Sequence, residues 1–161
     1  MDESLILIHQ NIRGISSKIN EFTSMLTLEH INPQIICFSK HHMSKSNLNS
    51  LNISNYNLST GFCRQTYRKG GICIYVREDI CYRSLDLTRY CEEKNHEVCA
   101  IQIRSMTNPQ IIICMYRSPS GNFYQFLKLL EIMLMSLYQP KTEFIICGDI
   151  NVDYLSDSFK K

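Results

Sequence analysis

Four short apolar runs in the chain each lead into a cluster of polar, hydrogen-bonding side chains. Leu5-Ile6-Leu7-Ile8 leads into His9-Gln10-Asn11, and Ile35-Ile36-Cys37-Phe38 into Ser39-Lys40-His41-His42. Ile111-Ile112-Ile113-Cys114 leads into Met115-Tyr116-Arg117, and Phe144-Ile145-Ile146-Cys147 into Gly148-Asp149-Ile150-Asn151. These clusters offer a carboxylate, two amides, a phenol and several cations. Such groups can hold a polar ligand and move a proton at it. One cluster alone says little: Asp149 after Gly148 suits a turn, Tyr116 suits a strand-end aromatic, and Asn11 suits a cap or a turn. Four clusters after four buried runs say more, because ligand sites in α/β sheets gather at strand ends.

The apolar runs are too short for helices, rich in β-branched residues and without alternation, as expected of strands covered on both faces. Gly71–Val76 and Val98–Ile103 read as further, more alternating strands. Two segments carry helical period. Ile15, Ile19, Phe22 and Leu26 share one face, with Ser16 or Ser17 as N-cap and Asn32-Pro33 as the stop. Phe123, Leu127, Leu130, Leu134 and Leu137 share another, ended by Pro140. Both stripes read as core. Strand–helix–strand, several strands, then strand–helix–strand predicts an α/β sandwich. Residues 43–60 read as a long polar loop with one turn of helix at most. His41 and His42 read as solvated loop histidines, and Asp153 and Asp157 as loop or helix-start carboxylates.

Length and composition bound the rest. The chain has 161 residues, 44% hydrophobic and 20% charged, which is one domain's worth of ordinary globular sequence. Net charge is only +2, so a polybasic, histone-like role is excluded. Any nucleic-acid binding must come from a local patch. The one local basic excess is Arg64, Arg68, Lys69, Arg77, Arg83 and Arg89, which reads first as a solvated hairpin surface and second as a phosphate-contacting patch. No apolar run approaches the ~18 residues of a membrane span. The Met-Asp-Glu-Ser start is not that of a secretory signal. Cysteines at 37, 63, 73, 81, 91, 99, 114 and 147 lack zinc-knuckle spacing and sit largely in apolar runs. They read as reduced, buried thiols in an intracellular compartment, cytoplasm or nucleus.

Taken together, the segments HQNIRGISSKINEF (9–22), IICFSKHHMS (35–44), KGGICIYVRED (69–79), IIICMYRSPSGNFYQFLKLLE (111–131) and FIICGDINVDYL (144–155) resemble a known family. It is the endonuclease/exonuclease/phosphatase superfamily. More narrowly, the chain resembles the N-terminal endonuclease domain of insect non-LTR (LINE-type, Jockey-like) retrotransposon polyproteins. The segments fall in the family's order and cover almost the whole chain.

The resemblance implies a four-layer α/β sandwich over residues 1–161 and a Mg²⁺-dependent phosphodiesterase that nicks DNA, originally fused to a reverse transcriptase. By motif, Asn11 would position metal and scissile phosphate, and Tyr116 would contact the phosphate in the transition state. Asp149 would orient or deprotonate the attacking water, and Asn151 would hydrogen-bond the phosphate. Two departures stand out. Lys40 falls where the family has its metal-ligating glutamate. An ammonium ~4 Å from a cation repels it by about 4 kcal/mol at an effective dielectric of 20. The chain also ends at Lys161, with no histidine after His96, where the resemblance implies further closing strands and an Asp-His ending. Both lead to the expectation of an incomplete sandwich and a truncated, catalytically impaired remnant. A non-catalytic nucleic-acid-binding module on the same scaffold is one alternative. A phosphatase or RNA-exonuclease branch of the superfamily is another.

Overall fold

The structure, a computed structural model, describes residues 4–104 and 108–153. Strands β1 (Leu7–Asn11), β2 (Ile35–Ser39), β3 (Tyr56–Phe62) and β4 (Ile72–Arg77) form one sheet in the order β1-β2-β4-β3. Strands β5 (Tyr82–Leu85), β6 (Glu97–Ile103), β7 (Gln110–Tyr116) and β8 (Glu143–Asp149) form a second, in the order β5-β6-β7-β8. The two parallel pairs, β1·β2 and β7·β8, are the ones joined through the long helices α1 (Ile15–Leu28) and α3 (Phe123–Leu137). Parallel neighbours need such crossovers.

The two sheets pack face to face. Ile35, Cys37, Ile72, Ile74 and Val76 of the first meet Cys99, Ile101, Ile112, Cys114 and Tyr116 of the second. The outer face of the first sheet is covered by α1 and the short α2 (Lys45–Ser50), with Phe22 edge-on to Phe38 at 5.0 Å. The outer face of the second is covered by Phe126 and Met133 of α3. The result is a helix–sheet–sheet–helix sandwich, the expected fold class. Strands β2, β4, β6 and β7 are buried on both faces; β2 and β7 read as continuous apolar runs for that reason, whereas β4 and β6 read as more alternating.

Several local expectations need correction. The first strand starts at Leu7 rather than Leu5 and runs through His9, Gln10 and Asn11, so Asn11 neither caps a helix nor lies in a turn. β1 and β8 are only half-buried, and Ile146 is 46% exposed. Helix α1 is capped by Gly14, at φ 103°, and neither Ser16 nor Ser17 accepts a capping bond. Its last residue is Leu28, well before Pro33, because His30 turns the chain at φ 53°. The polar stretch 43–60 contains α2, capped by the Ser44 side chain, and the start of β3. Strand β5 also went unread, because Tyr-Arg-Ser-Leu has no apolar run. Asp153 is exposed, and Asp157 lies outside the described residues. The eight cysteines carry free thiols. Among the described residues no helix is long and apolar enough to cross a membrane.

Candidate phosphate-binding site

Side chains alternate along a strand, so every second residue of β1, β2, β6, β7 and β8 faces the other sheet. At the ends of these strands the register aligns Glu97 with Tyr116 and Tyr116 with Asp149 in the second sheet. In the first sheet it aligns Asn11 with Ser39. The two rows meet across the sandwich: Asn11 Nδ2 donates to Asp149 Oδ2 at 2.6 Å. Lys40, next after Ser39, carries its Nζ 5.5 Å from the centre of the Tyr116 ring. The structure thus brings Asn11, Lys40, Tyr116 and Asp149 to one rim.

Asp149 is held from both sides. Its Oδ1 accepts from the Asn151 backbone N–H at 3.2 Å, and Gly148 before it packs against the Met115 carbonyl where no Cβ would fit. Asn151 Nδ2 donates to the Arg117 carbonyl at 2.6 Å. Buried Arg117 returns bonds to the carbonyls of Ile150 (2.8 Å), Asn151 (2.7 Å) and Gly121 (2.7 Å). Arg117 therefore pins the loop that carries the carboxylate. Asn11 Oδ1 is buried without a hydrogen-bond partner, a feature that calls for a ligand or a polar neighbour.

Sequence reading missed the pair that builds the other half of the rim. Glu97, fully buried, accepts from Arg64 Nε at 2.6 Å, from the Gly71 N–H at 2.7 Å and from the Lys94 N–H at 3.0 Å. The Arg64 guanidinium lies 5.7 Å from the Tyr116 ring centre, so the ring is flanked by two cations and is itself 1% exposed. A charged residue abutting the apolar run Val98–Ile103 was the signal for Glu97. Nothing in the local sequence linked it to Arg64, 33 positions away.

His41 corrects the expectation of a solvated histidine. Its Nε2–H donates to the Phe62 carbonyl at 3.0 Å and its Nδ1 accepts from the Met43 N–H at 2.9 Å. Burial lowers its pKa to about 4. Gly71, at φ 89°, closes over this ring, and a Cβ there would overlap it. His42, by contrast, is exposed, and its pKa is lowered first by partial burial and then by Lys40, Lys69, Arg64 and Lys18. These cations share one positive field beside a groove of about 470 Å³ lined by His42, Arg64, Tyr67, Arg68 and Lys69. Lys94 Nζ sits 3.4 Å over the Tyr67 ring on its edge. The rest of the basic stretch is spent elsewhere: Arg77 pairs with Asp79, Arg83 with Gln102, and Arg89 stacks on Tyr90.

Magnesium wants about six oxygen ligands in an octahedron. The rim offers the Asp149 carboxylate, already bonded twice, and Asn11 Oδ1. Glu97 is consumed by Arg64, and Lys40 adds positive charge. This donor set does not fit a divalent cation, and no step is routed through one. An anion would meet Lys40 beside the ring, since Arg64 is already paired with Glu97.

No family model and no curated protein matches the chain. Solved structures do. D. rerio TDP2, solved with a single-strand DNA product, superposes with a TM-score of 0.67 at 13% identity, covering 94% of this chain and 62% of that one. The endonuclease domain of TRAS1, a telomere-specific non-LTR retrotransposon, gives 0.67 at 10% identity over 93% and 60%. An endonuclease/exonuclease/phosphatase family protein from Bacteroides thetaiotaomicron gives 0.61 at 15% over 98% and 67%. At this identity the likeness is one of fold: the chain shares the two-sheet α/β sandwich of these structures. The chain spans about three-fifths of the length of the first two of these structures.

Proposed function

We propose that this chain is a nucleic-acid-binding relative of non-LTR retrotransposon endonucleases in which metal-dependent nicking is disabled. The observation that carries the reading is the rim itself. Asn11 and Asp149 join across the sheets at 2.6 Å beside a tyrosine flanked by Lys40 and Arg64. Polar groups converging at strand ends suit a phosphodiester, and the adjacent basic groove with Tyr67 suits the strand that continues from it. Likeness to the TRAS1 domain and to the DNA-bound TDP2 supports DNA as the partner. An ancestral fusion to a reverse transcriptase belongs to the same reading.

In this reading, Lys40 meets the bound phosphate, with Arg64, paired to Glu97, behind the Tyr116 ring. The Tyr116 hydroxyl and the Asn151 amide approach its oxygens. Asp149 keeps the geometry to orient a water, but the developing oxygen charge lacks the divalent cation that stabilises it in a metal-dependent nuclease. Magnesium dependence is expected only once Lys40 is replaced by a carboxylate.

The test pairs a supercoiled-plasmid nicking assay in Mg²⁺ or Mn²⁺ with fluorescence anisotropy on labelled DNA across a salt series. Salt-dependent binding without nicking is expected, with metal-dependent nicking emerging in Lys40→Glu. Metal-dependent nicking by the natural sequence that disappears in Asp149→Ala would refute the disabled reading. Absence of binding at low salt would refute the nucleic-acid reading. Hydrolysis of an RNA tail or a phosphomonoester in a substrate panel would favour another branch of the superfamily.

A further inference from the structure

Two residues below the rim, ~6.6 Å further into the sandwich, the same register lines up a different chemistry. Cys99 pairs with Cys114, and Cys114 with Cys147, in the second sheet; His9 pairs with Cys37 in the first. Cys37, Cys114 and Cys147 all face the inter-sheet core, and their sulfurs lie within 4.8 Å of one another. Each thiol taken singly is unremarkable as a small apolar side chain. Three sulfurs at one point, from three strands in two sheets, form a ready-made triangle of soft donors.

We propose that Cys37, Cys114 and Cys147 bind one thiophilic metal ion, Zn²⁺. Tetrahedral zinc with bonds of about 2.3 Å to sulfur needs sulfurs about 3.8 Å apart. The triangle, within 4.8 Å on every side, therefore lies close to that spacing. His9 lies on the same face of β1 as core residue Leu7 and pairs with Cys37 in the ladder, with its Nε2 3.1 Å from Ser39 Oγ. Cys147 is only half-buried, so an ion has a route past β8. Binding takes the three cysteines as thiolates, giving a complex of charge −1, and any thiol proton leaves to solvent.

The experiment uses the full chain, reduced and stripped of metal. Elemental analysis after desalting from Zn²⁺ measures stoichiometry, and titration with Cd²⁺ reads the thiolate-to-metal absorbance in the ultraviolet. One ion per chain is expected. Cys147→Ser should weaken binding beyond the ~10–100-fold cost of losing a supporting shell, while exposed Cys81→Ser leaves it unchanged. Because a core substitution can disturb folding, the natural sequence supplies a second readout: Zn²⁺ should protect Cys147, but not Cys81, from alkylation. Sub-stoichiometric zinc with no cadmium band, equal binding by a folded Cys147→Ser, or equal alkylation of Cys147 with and without Zn²⁺ each overturns the proposal. DNA binding has no part in these readouts, so the site stands or falls apart from the nuclease-like reading.

Discussion

The rim and the layer beneath it are built by the same strands, on the same face, one pleat apart. The rim holds Glu97, Tyr116, Asp149, Asn11 and Ser39; the layer beneath holds Cys99, Cys114, Cys147, His9 and Cys37. The upper row is ionic and amide-rich, and its atoms are bonded to one another or to loops. In the lower row, Cys37, Cys99 and Cys114 are buried and bond weakly through sulfur. Strand ends can host charge because loop N–H groups reach them there, as Gly71 and Lys94 reach Glu97. One pleat further in, on the central strands β2 and β7, the backbone is used by the ladder on both sides and soft or apolar side chains fill the space.

This contrast predicts that the rim is where substitutions cost most. Glu97→Ala leaves the Arg64 guanidinium buried and unpaired and should destabilise by about 3–5 kcal/mol in a urea melt. An equal loss for Cys99→Ala would erase the distinction between the rows. His41 should cost nearly as much, through pH. Its folded pKa of about 4 lies below the ordinary 6.5. The neutral ring therefore contributes fully above pH ~6.5, and that contribution is lost as pH falls toward about 4, to a limit of roughly 3 kcal/mol. Stability measured against pH should show this acid limb, and His41→Gln should flatten it.

Asn11→Ala removes one bond to a carboxylate and should cost about 1–3 kcal/mol, read as a shift in the urea midpoint. A null effect would mean that the Asn11–Asp149 link is not part of what holds the rim. At the small end, Arg68→Ala and Lys69→Ala should leave stability within about 0.5 kcal/mol. Each should reduce the slope of log affinity against log salt for DNA by about one. Unchanged slopes would confine phosphate contact to the rim.

How far these rows were legible depends on what had to be known. The central strands β2 and β7 announced themselves, because burial on both faces leaves nothing but apolar residues. Their polar sequels at Lys40 and Tyr116 were visible for that reason, and Asn11 and Asp149 were visible because the half-buried edge strands β1 and β8 also begin as apolar runs. Arg64–Glu97 was not, since an ion pair across 33 positions has no local pattern. His41 was misread because its burial depends on a glycine from β4's entry loop, not on its neighbours. The helix cap at Gly14 and the weak strands β3 and β5 depend on backbone pairing supplied by other segments. The thiol triangle was hidden in plain view: Cys37 and Cys114 were read correctly as buried residues of apolar runs, Cys147 proves only half-buried on β8, and only the inter-sheet register makes the three neighbours.

The bond between Asn11 and Asp149 closes a span of 138 residues. Bringing together points so distant along a polymer is slow, and synthesis proceeds from the amino end. A ribosome making this chain will have released β2, β4, β6 and β7 long before Asp149 emerges. Both sheets can condense around those central strands while the rim still lacks its carboxylate. Assembly of the site thus waits for β8, and any nascent piece that stops short of it can bury the central strands yet holds no joined pair.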